Sequence, residues 1–235
     1  MSIASRIKNK FKRPPPVLKY KKSYAQCGED MIIAFVLGQF KLPNITYLDI
    51  GCHHPFYLSN TAFFYENGGS GVCVEPDPLL FKVIEEERTR DICLNAGIGV
   101  SNQSSADFYI ISEKTLNTFS KEDAERYVSY GNKKIEQIIQ VPLISVNDVM
   151  EKYFKPCPNI VSLDAEGFDL EILKSMDFKK FRPQVFCIET LTYTENGTEE
   201  KIVPIIDFMK QNDYFVYADT YINSIFIDKA TWNSK

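Results

Sequence analysis

Acidic side chains end several short apolar runs that are typical of buried β-strands. The four carboxylates are Asp49 in YLDIG, Glu75 in VCVEP, Asp164 in VSLDAEG and Glu189 in FCIET. Because ligands of open parallel sheets bind beyond the carboxyl ends of the strands, we expect all four to line one rim. Glu166 follows two residues after Asp164. Clustered carboxylates repel one another unless a cation or hydrogen-bond donors offset their charge, so the set predicts a site.

The first of these strands leads into a turn whose residues suit a nucleoside ligand. Gly51 permits a sharp turn, and Glu75, 24 residues later, is placed to accept hydrogen bonds from both hydroxyls of a ribose. The dinucleotide fingerprint GxGxxG is absent, because His53 and Phe56 stand where glycines are needed for close approach to a pyrophosphate. A nucleoside without a pyrophosphate, such as S-adenosylmethionine, therefore suits this turn better than a dinucleotide.

The same turn contains Cys52, His53 and His54 in a row, a composition that raises the question of a metal site. Adjacent side chains on a turn rarely converge on one tetrahedral ion, and no second ligand pair lies at a zinc-like spacing, so we predict no zinc here. Histidine titrates near neutral pH, which makes His54 a candidate general base. The alternative is that the His54 ring packs under the loop or caps the next helix.

The elements that must position these residues alternate between strand and helix. Ser59 is placed to cap a helix over SNTAFFYEN, Asp77 and Pro78 begin another, and Ser145 with Asp148 forms a capping box. DICLNAGI reads as a third strand, SADFYII as an extension or edge strand, and residues 111–134 as a polar loop or lid. YFVYAD and INSIFID are close enough to form a hairpin. The pattern predicts an α/β fold with a mostly parallel sheet, helices on both faces and an antiparallel C-terminal strand.

Composition and charge limit the class of protein. With 235 residues and 44% apolar side chains, the chain is long enough for one packed domain, which we place at residues 23–235. Residues 1–22 contain eight Lys or Arg and no acid, so the formal charge of −4 leaves −12 for the remainder. A body this acidic is expected to repel nucleic acid.

The basic segment at residues 1–22 reads as a tail and linker. Ile3, Ile7 and Phe11 are four residues apart, which leaves open a short amphipathic helix on an anionic membrane surface; Pro14–Pro16 would end it. There is no run of about eighteen apolar residues and no secretory signal pattern, and the six cysteines lack a CxxC pair. We expect a cytoplasmic protein with free thiols, with peripheral membrane contact as an open alternative.

These motifs, taken together and in order, resemble the FkbM family of S-adenosylmethionine-dependent methyltransferases over roughly residues 23 to 190. The residues that carry the resemblance are SYAQCGEDMII, YLDIGCHHPFYLSNT, GVCVEPDP, NAGIG, VSLDAEGFDLEILKSMDF and RPQVFCIE. The resemblance implies a Rossmann-like class I methyltransferase with a seven-stranded sheet. It also implies S-adenosylmethionine as cofactor and methyl transfer to a hydroxyl oxygen of a sugar, a glycan or a related small molecule.

Site residues follow from the resemblance one by one. It implies cofactor contacts from ten positions, with Glu75 on the ribose and Asn95 and Ala96 on the adenine side: Gln26, Asp49, Gly51, Ser59, Asn60, Glu75, Asp77, Asn95, Ala96 and Asp164. A hydroxyl is a weak nucleophile at neutral pH, so a base or a metal must help to remove its proton. His54, Asp164 and Glu166 are the candidates for catalysis, and Glu189 is placed to complete an oxygen-rich Mg²⁺ site.

Two other functions stay open at this point. One is a nicotinamide-dependent oxidoreductase on a similar sheet, which the missing glycines disfavour. The other is a catalytically silent cofactor-binding scaffold, for which the loop at 111–134 and the basic tail are the best features. A lipid-linked saccharide as acceptor would account for the basic tail, while the oligomeric state is not indicated by any pattern.

Overall fold

The computed structural model describes residues 21–40 and 42–235. The predicted amphipathic helix and the proline linker lie outside the described residues, and the boundary between a tail at 1–22 and a domain at 23–235 stays a prediction. The helices are α1 (Glu29–Leu37), α2 (Ala62–Glu66), α3 (Pro78–Glu87), α4 (Lys121–Ser129), α5 (Val146–Tyr153), α6 (Asp169–Ser175), α7 (Val203–Gln211) and α8 (Lys229–Asn233).

Within residues 21–40 and 42–235, ten strands form two sheets. They are β1 (Thr46–Ile50), β2 (Ser70–Val74), β3 (Ile92–Leu94), β4 (Gly97–Ile98), β5 (Ser105–Ile111), β6 (Ile135–Ile144), β7 (Ile160–Leu163), β8 (Val185–Glu189), β9 (Tyr214–Asp219) and β10 (Asn223–Asp228). The main sheet has the order β3-β2-β1-β7-β8-β10-β9. Its first five strands run parallel, and β10 is antiparallel to both of its neighbours. The predicted seven-stranded, mostly parallel sheet with an antiparallel C-terminal strand is confirmed.

Strand alternation divides the core into two layers, one on each face of the main sheet. In β1, Leu48 and Ile50 belong to the layer that contains α5, α6 and α7, whereas Tyr47 belongs to the layer that contains α1 and α2. Successive side chains of a strand point to opposite faces, so Asp49 lies on the same face as Tyr47. The strand order reverses between β1 and β7, and in doubly wound sheets the ligand cleft opens at such a reversal.

The structure differs from the sequence predictions around the small second sheet. DICLNAGI is two strands rather than one: β3 belongs to the main sheet, while β4 pairs with β6 in a three-stranded sheet of order β4-β6-β5. The segment 111–134 is largely ordered, with a short 3₁₀ helix (Lys114–Leu116) and α4. Ser120 caps α4 by accepting the N–H of Asp123 at 3.1 Å. The long strand β6, which pairs with β5, was not predicted.

The helix-start predictions hold where a cap side chain is present. The Asp77 carboxylate accepts the N–H of Leu79 at 2.8 Å, and the Ser145 hydroxyl accepts the N–H of Asp148 at 3.0 Å. None of the helices that the structure describes combines the length and the apolar composition that a membrane crossing requires.

Candidate active site

A cleft of about 710 Å³ opens beyond the carboxyl ends of β1, β2, β7 and β8. This volume lies within the range of about 300–1,000 Å³ that is usual for small-molecule sites. The cleft brings together eight of the residues singled out from the sequence: Gln26, Gly51, Asn60, Glu75, Ala96, Asp164, Glu166 and Glu189. The strand-end geometry therefore brings six of the ten predicted cofactor residues to the cleft.

Glu75 is fixed by backbone amides at the wall of the cleft. One carboxylate oxygen accepts the N–H of His53 and the other accepts the N–H of Asp77, each at 2.8 Å. Burial raises the pKa of Glu75 to about 8, and the two amide hydrogen bonds oppose that rise. Each oxygen keeps a free lone pair, because a carboxylate offers about four acceptor positions. The pair of oxygens is thus prepared to accept two neighbouring hydroxyls, as on a ribose.

Asp49 lies behind the cleft wall, which differs from its predicted place on the rim. It stands one residue before the end of β1 and shares the face of Tyr47, where its carboxylate accepts a hydrogen bond from the Thr61 hydroxyl. Thr61 in turn accepts a hydrogen bond from the Arg88 guanidinium at 3.0 Å. Burial raises the pKa of Asp49, while Thr61 and Arg88 oppose that rise. The structure thus gives Asp49 a place in a buried network rather than direct access to the cleft.

Arg88 is the centre of that network and was not singled out from the sequence. Its side chain is completely buried, forms an ion pair with Asp91 at 2.8 Å, and donates to the carbonyl of Pro55 at 3.0 Å. Asp91 also accepts hydrogen bonds from the Tyr47 hydroxyl and the Gly71 N–H. The network joins the turn after β1 to the neighbouring strands. The sequence does contain a signal for this ion pair: Arg88 stands at the end of a predicted helix and Asp91 follows three residues later.

Three other predicted cofactor residues lie beside the cleft and hold its wall together. Asn95 donates to the carbonyls of Glu75 and Pro76 at 2.9 and 3.0 Å, joining the ends of β2 and β3. Ser59 accepts the N–H of Ala62 at the start of α2. Asp77 is completely buried, where it caps α3. These contacts do not extend into the cleft, in contrast to those of the neighbouring residues Ala96 and Asn60.

The turn residues Cys52, His53 and His54 point to three different places. Cys52 is buried beside Cys73 and Asp49, whereas His53 faces the cleft with a φ of +55°. Burial lowers the pKa of His53. His54 Nδ1 accepts the N–H groups of Phe56 and Tyr57 at 3.1 and 3.0 Å.

His54 therefore caps the turn, which is the alternative considered for it. Its ring nitrogen is already occupied by two donors and the side chain is not part of the cleft lining. This placement does not support His54 as the general base. The three side chains do not converge on one point.

Three carboxyl groups meet in the middle of the cleft. Asp164 follows β7, Glu189 ends the adjacent strand β8, and Glu166 sits on the intervening turn with a φ of +46°. One oxygen from each lies within 4.8 Å of the others. Burial raises the pKa of Asp164 to about 7, and it also raises the pKa values of Glu166 and Glu189. Asp164, Glu166 and Glu189 together form the carboxyl cluster.

Asp169 shapes the turn that presents the carboxyl cluster. Its carboxylate accepts the N–H groups of Ala165 and Gly167 at 2.9 and 3.3 Å, which fixes the backbone on both sides of Glu166. The Thr118 hydroxyl donates to the carbonyl of Glu166 at 3.1 Å. Since the pairing of Asp169 is local, its role is to position Glu166.

The 3₁₀ segment before α4 borders one side of the cleft. The Asn117 side chain accepts the N–H of Ile111 at 2.8 Å and donates to the Asp77 carboxylate at 3.0 Å. Asn117 and Thr118 both line the cleft. Neither was singled out from the sequence, because a lone Asn in a polar stretch carries no spacing signal.

Aromatic side chains stand at the far end of the cleft from Glu75. Tyr193 and Tyr221 both line it, and Tyr221 is 61% exposed. Tyr221 has a φ of +77°, which a bulky residue rarely adopts. Its N–H is held by the Asp219 carboxylate at 2.8 Å. A strained, exposed aromatic residue at a cleft is the kind of outlier that indicates a binding role.

The model of the methyltransferase FkbM domain matches residues 49–216. This chain belongs to the FkbM methyltransferase family. The match spans both the Glu75 wall and the carboxyl cluster, and it confirms the family resemblance found in the sequence motifs. A search of curated proteins finds no match.

Several solved methyltransferase structures are similar in fold to the FkbM protein. Magnesium protoporphyrin IX methyltransferase from Synechocystis PCC 6803 with bound SAH is 9% identical, with a TM-score of 0.43 over 85% of this chain and 81% of that one. Precorrin-6y C5,15-methyltransferase from Geobacter metallireducens GS-15 is 12% identical, with a TM-score of 0.41 over 91% and 94%.

A third similar structure is the 1,6-didemethyltoxoflavin-N1-methyltransferase from Burkholderia thailandensis. It is 10% identical, with a TM-score of 0.41 over 85% of this chain and 74% of that one. At such identities these proteins say nothing about the substrate of the FkbM protein. The class I methyltransferase fold follows from its own strand order and from the family match.

S-adenosylmethionine is the cofactor of the FkbM methyltransferase, and the cleft fits it. Glu75 presents two oxygens with free lone pairs for the ribose hydroxyls. Apolar side chains that include Ile50, Val74 and Ile98 line the same region and are suited to contact with an adenine ring. The negative charge of the nearby carboxyl cluster suits a sulfonium.

Proposed function

We propose that this FkbM methyltransferase methylates a hydroxyl oxygen of a sugar, a glycan or a related small molecule. The observation that carries the proposal is the carboxyl cluster in the middle of the cleft. Asp164, whose pKa burial raises to about 7, can accept a proton near neutral pH. An amine acceptor that is already neutral has less need of such a group, whereas an alcohol must lose its proton during the transfer.

The chemistry divides between the cofactor and the chain. When bound, S-adenosylmethionine supplies an electrophilic methyl group; its transfer breaks the S–C bond, forms an O–C bond and releases the hydroxyl proton. Glu75 holds the nucleoside, and the carboxyl cluster takes the proton. The segment that contains Asn117 and Thr118 covers one side of the cleft and helps to exclude water. The reacting oxygen has to lie about 3–3.5 Å from the methyl carbon.

The far end of the cleft supports a sugar as the acceptor. Tyr193 and Tyr221 provide aromatic faces on which the C–H face of a sugar ring can pack. Acidic side chains outnumber basic ones in the described lining, which disfavours phosphorylated or otherwise anionic acceptors. Attachment of the sugar to a lipid, with membrane contact through residues 1–22 and a cytoplasmic location, stays a prediction.

A radiolabelled methyl-transfer screen over saccharide acceptors tests the proposal. We expect the label in an O-methyl ether, and we expect Asp164→Asn to lower kcat by about 10²–10⁴-fold, the range for loss of a general base. His54→Ala is the control, because its side chain caps a turn outside the cleft lining; it is expected to retain most of the activity. Label on nitrogen or carbon would contradict O-methylation. Cofactor binding without transfer to any saccharide would favour the silent scaffold.

A further inference from the structure

The carboxyl cluster of Asp164, Glu166 and Glu189 carries more negative charge than its surroundings balance. Lys114 is the one lysine or arginine among the described residues that line the cleft, and its ammonium group pairs with Glu136 at 2.8 Å. Like charges at this separation persist in a buried site only with protons, donors or a cation between them. The described side chains provide no free cation for the cluster, so protons or a bound cation must offset its charge.

A second observation concerns a single atom of the cluster. Asp164 Oδ1 is buried, and it stands out among the described residues as a side-chain oxygen without a hydrogen-bond donor. A buried acceptor left unpaired costs about 1–3 kcal/mol, so native structures rarely retain one without a ligand, an ion or water to satisfy it. Its position within the cluster indicates that a ligand or an ion completes this part of the cleft.

The chemistry of the ligand atoms selects the kind of partner. All three side chains are carboxylates, they come from the ends of two adjacent strands, and one oxygen from each lies within 4.8 Å of the others. Oxygen-only sites suit hard cations of the Mg²⁺ and Mn²⁺ type rather than the softer ions that prefer sulfur or imidazole. The backbone at Glu166 is held by Asp169 and Thr118, so the cluster is preorganised.

A neighbouring cluster serves as an internal comparison. Asp49, Cys52 and Cys73 also bring three potential ligand atoms within 4.8 Å of one another. There, however, the Asp49 carboxylate already accepts a hydrogen bond from Thr61, and the buried Arg88 guanidinium lies beside the group. The positive charge of Arg88 repels a cation, so we infer no metal site at this second group although its ligand atoms are equally close.

We propose that Asp164, Glu166 and Glu189 bind a divalent cation of the Mg²⁺ or Mn²⁺ type. Resting on the function proposed above, we further infer that the acceptor hydroxyl binds to this cation. Such a cation would make the hydroxyl more acidic. The hydroxyl proton would pass to a non-coordinating oxygen of one of the three carboxylates as the O–C bond forms and the S–C bond of the cofactor breaks.

Mn²⁺ binding to the full chain, without cofactor or acceptor, tests the site directly. The loss of the free-ion signal in electron paramagnetic resonance gives the affinity. We expect Asp164→Asn and Glu189→Gln each to weaken Mn²⁺ binding by about tenfold or more, because each removes a charged ligand. Glu199→Gln is the matched control, since Glu199 is a carboxylate on the same cleft outside the cluster. It is expected to change the affinity less than twofold.

Thermal unfolding gives a second measurement that shows whether each variant is folded. Added Mg²⁺ is expected to raise the Tm of the wild type and of Glu199→Gln but not that of Asp164→Asn. Equal Mn²⁺ affinity in all four proteins, or no binding to the wild type at millimolar Mn²⁺, would overturn the proposal and leave a cluster that only shares protons.

Activity separates this inference from the proposed function. Methyl transfer that continues undiminished in EDTA would remove the cation from the reaction and leave O-methylation standing. Mn²⁺ binding that depends on the carboxyl cluster, combined with no transfer to any saccharide, would leave the cation site standing and remove the proposed acceptor class.

Discussion

The backbone of Gly51 packs directly against the carbonyl oxygen of Asp164. A Cβ atom at position 51 would stand 1.8 Å from that oxygen, and Gly51 has a φ of +77°. The turn that borders the cofactor region is therefore in contact with the strand end that carries the carboxyl cluster. Only glycine permits this approach, because any side chain would push the two strand ends apart.

We expect Gly51→Ala to destabilise the protein by about 3 kcal/mol or more, measured by urea unfolding. The left-handed backbone costs alanine about 1–2 kcal/mol, and the clash with Asp164 adds to it. Gly68→Ala is the matched control: its φ is +91°, but no atom lies within 4 Å of a Cβ there. It is expected to lose only about 1 kcal/mol. Similar losses of stability in both variants would show that the close approach to Asp164 adds nothing to the cost of the left-handed backbone.

The buried side chain of Arg88 is also expected to contribute to the stability of the fold. Its replacement in Arg88→Met leaves Asp91 buried without its cation and removes a donor from the Pro55 carbonyl. Breaking a buried ion pair on one side costs about 3–5 kcal/mol, so we expect a loss of that size in the free energy of unfolding. Lys82→Met, at an exposed position of α3, is the control and is expected to lose less than about 1 kcal/mol. A mild effect of Arg88→Met would mean that solvent reaches Asp91.

The sheet could be predicted from the sequence, because its strands are short apolar runs between strong helix starts. Parts of the small sheet could not. The strand β6 is half exposed and pairs outside the main sheet, so IEQIIQVPLI lacks the continuous apolarity of a central strand. Helix α4 has only Ala124 and Tyr127 buried, which leaves little periodicity in KEDAERYVS. The remaining sequence signal for this helix is Ser120, a residue type that commonly caps the start of a helix.

The candidate site was predictable at the strand ends and less so within the loops. Glu75, Asp164 and Glu189 reach the cleft because each ends or follows a strand. Asp49 does not reach the cleft, because successive side chains of a strand alternate between faces and Asp49 lies on the face opposite Leu48 and Ile50. This alternation could have been predicted from the sequence. The capping role of His54 depends on the path of a non-repetitive turn, which no spacing rule specifies.

Glu75 is expected to determine cofactor affinity. At pH 9, above its pKa of about 8, Glu75 is ionised; the two ribose hydroxyls would then donate to a carboxylate, and hydrogen bonds to a charged group contribute about 1.5–3 kcal/mol. Glu75→Gln should therefore weaken S-adenosylmethionine binding by about tenfold or more in calorimetric titration. Glu87→Gln, an exposed substitution at the end of α3, is the control and should bind as the wild type does. Equal affinities for both variants would place the ribose elsewhere.

Tyr221 tests the acceptor end of the cleft. Loss of an aromatic face in Tyr221→Ala should raise the KM for a saccharide acceptor about two- to tenfold, since such contacts contribute about 0.5–1.5 kcal/mol. The Kd for S-adenosylmethionine should stay unchanged. Tyr57→Ala is the matched control, because Tyr57 is also 61% exposed but does not line the cleft. An unchanged KM in Tyr221→Ala would show that the Tyr221 side chain, despite its strained backbone, does not contribute to acceptor binding.

The raised pKa of Glu75 predicts a pH dependence of folding. The pKa of Glu75 is about 8 in the folded protein, against 4.5 for a glutamate side chain fully exposed to water. Below pH 4.5 the carboxyl is protonated in both states, and its favourable contribution is complete. Between pH 4.5 and 8 the unfolded chain releases the proton while the folded protein retains it, so the free energy of unfolding falls by up to about 1.4 kcal/mol per pH unit.

Urea unfolding of the wild type and Glu75→Gln at several pH values from 5 to 8 measures this effect. Glutamine does not titrate, so its lost or altered hydrogen bonds shift the free energy by an amount that is nearly constant with pH. The other buried carboxyls contribute equally to both proteins. The wild type should therefore lose stability more steeply than Glu75→Gln as the pH rises. Parallel curves would mean that Glu75 is already ionised in the folded protein at pH 5, with its two amide donors outweighing the effect of burial.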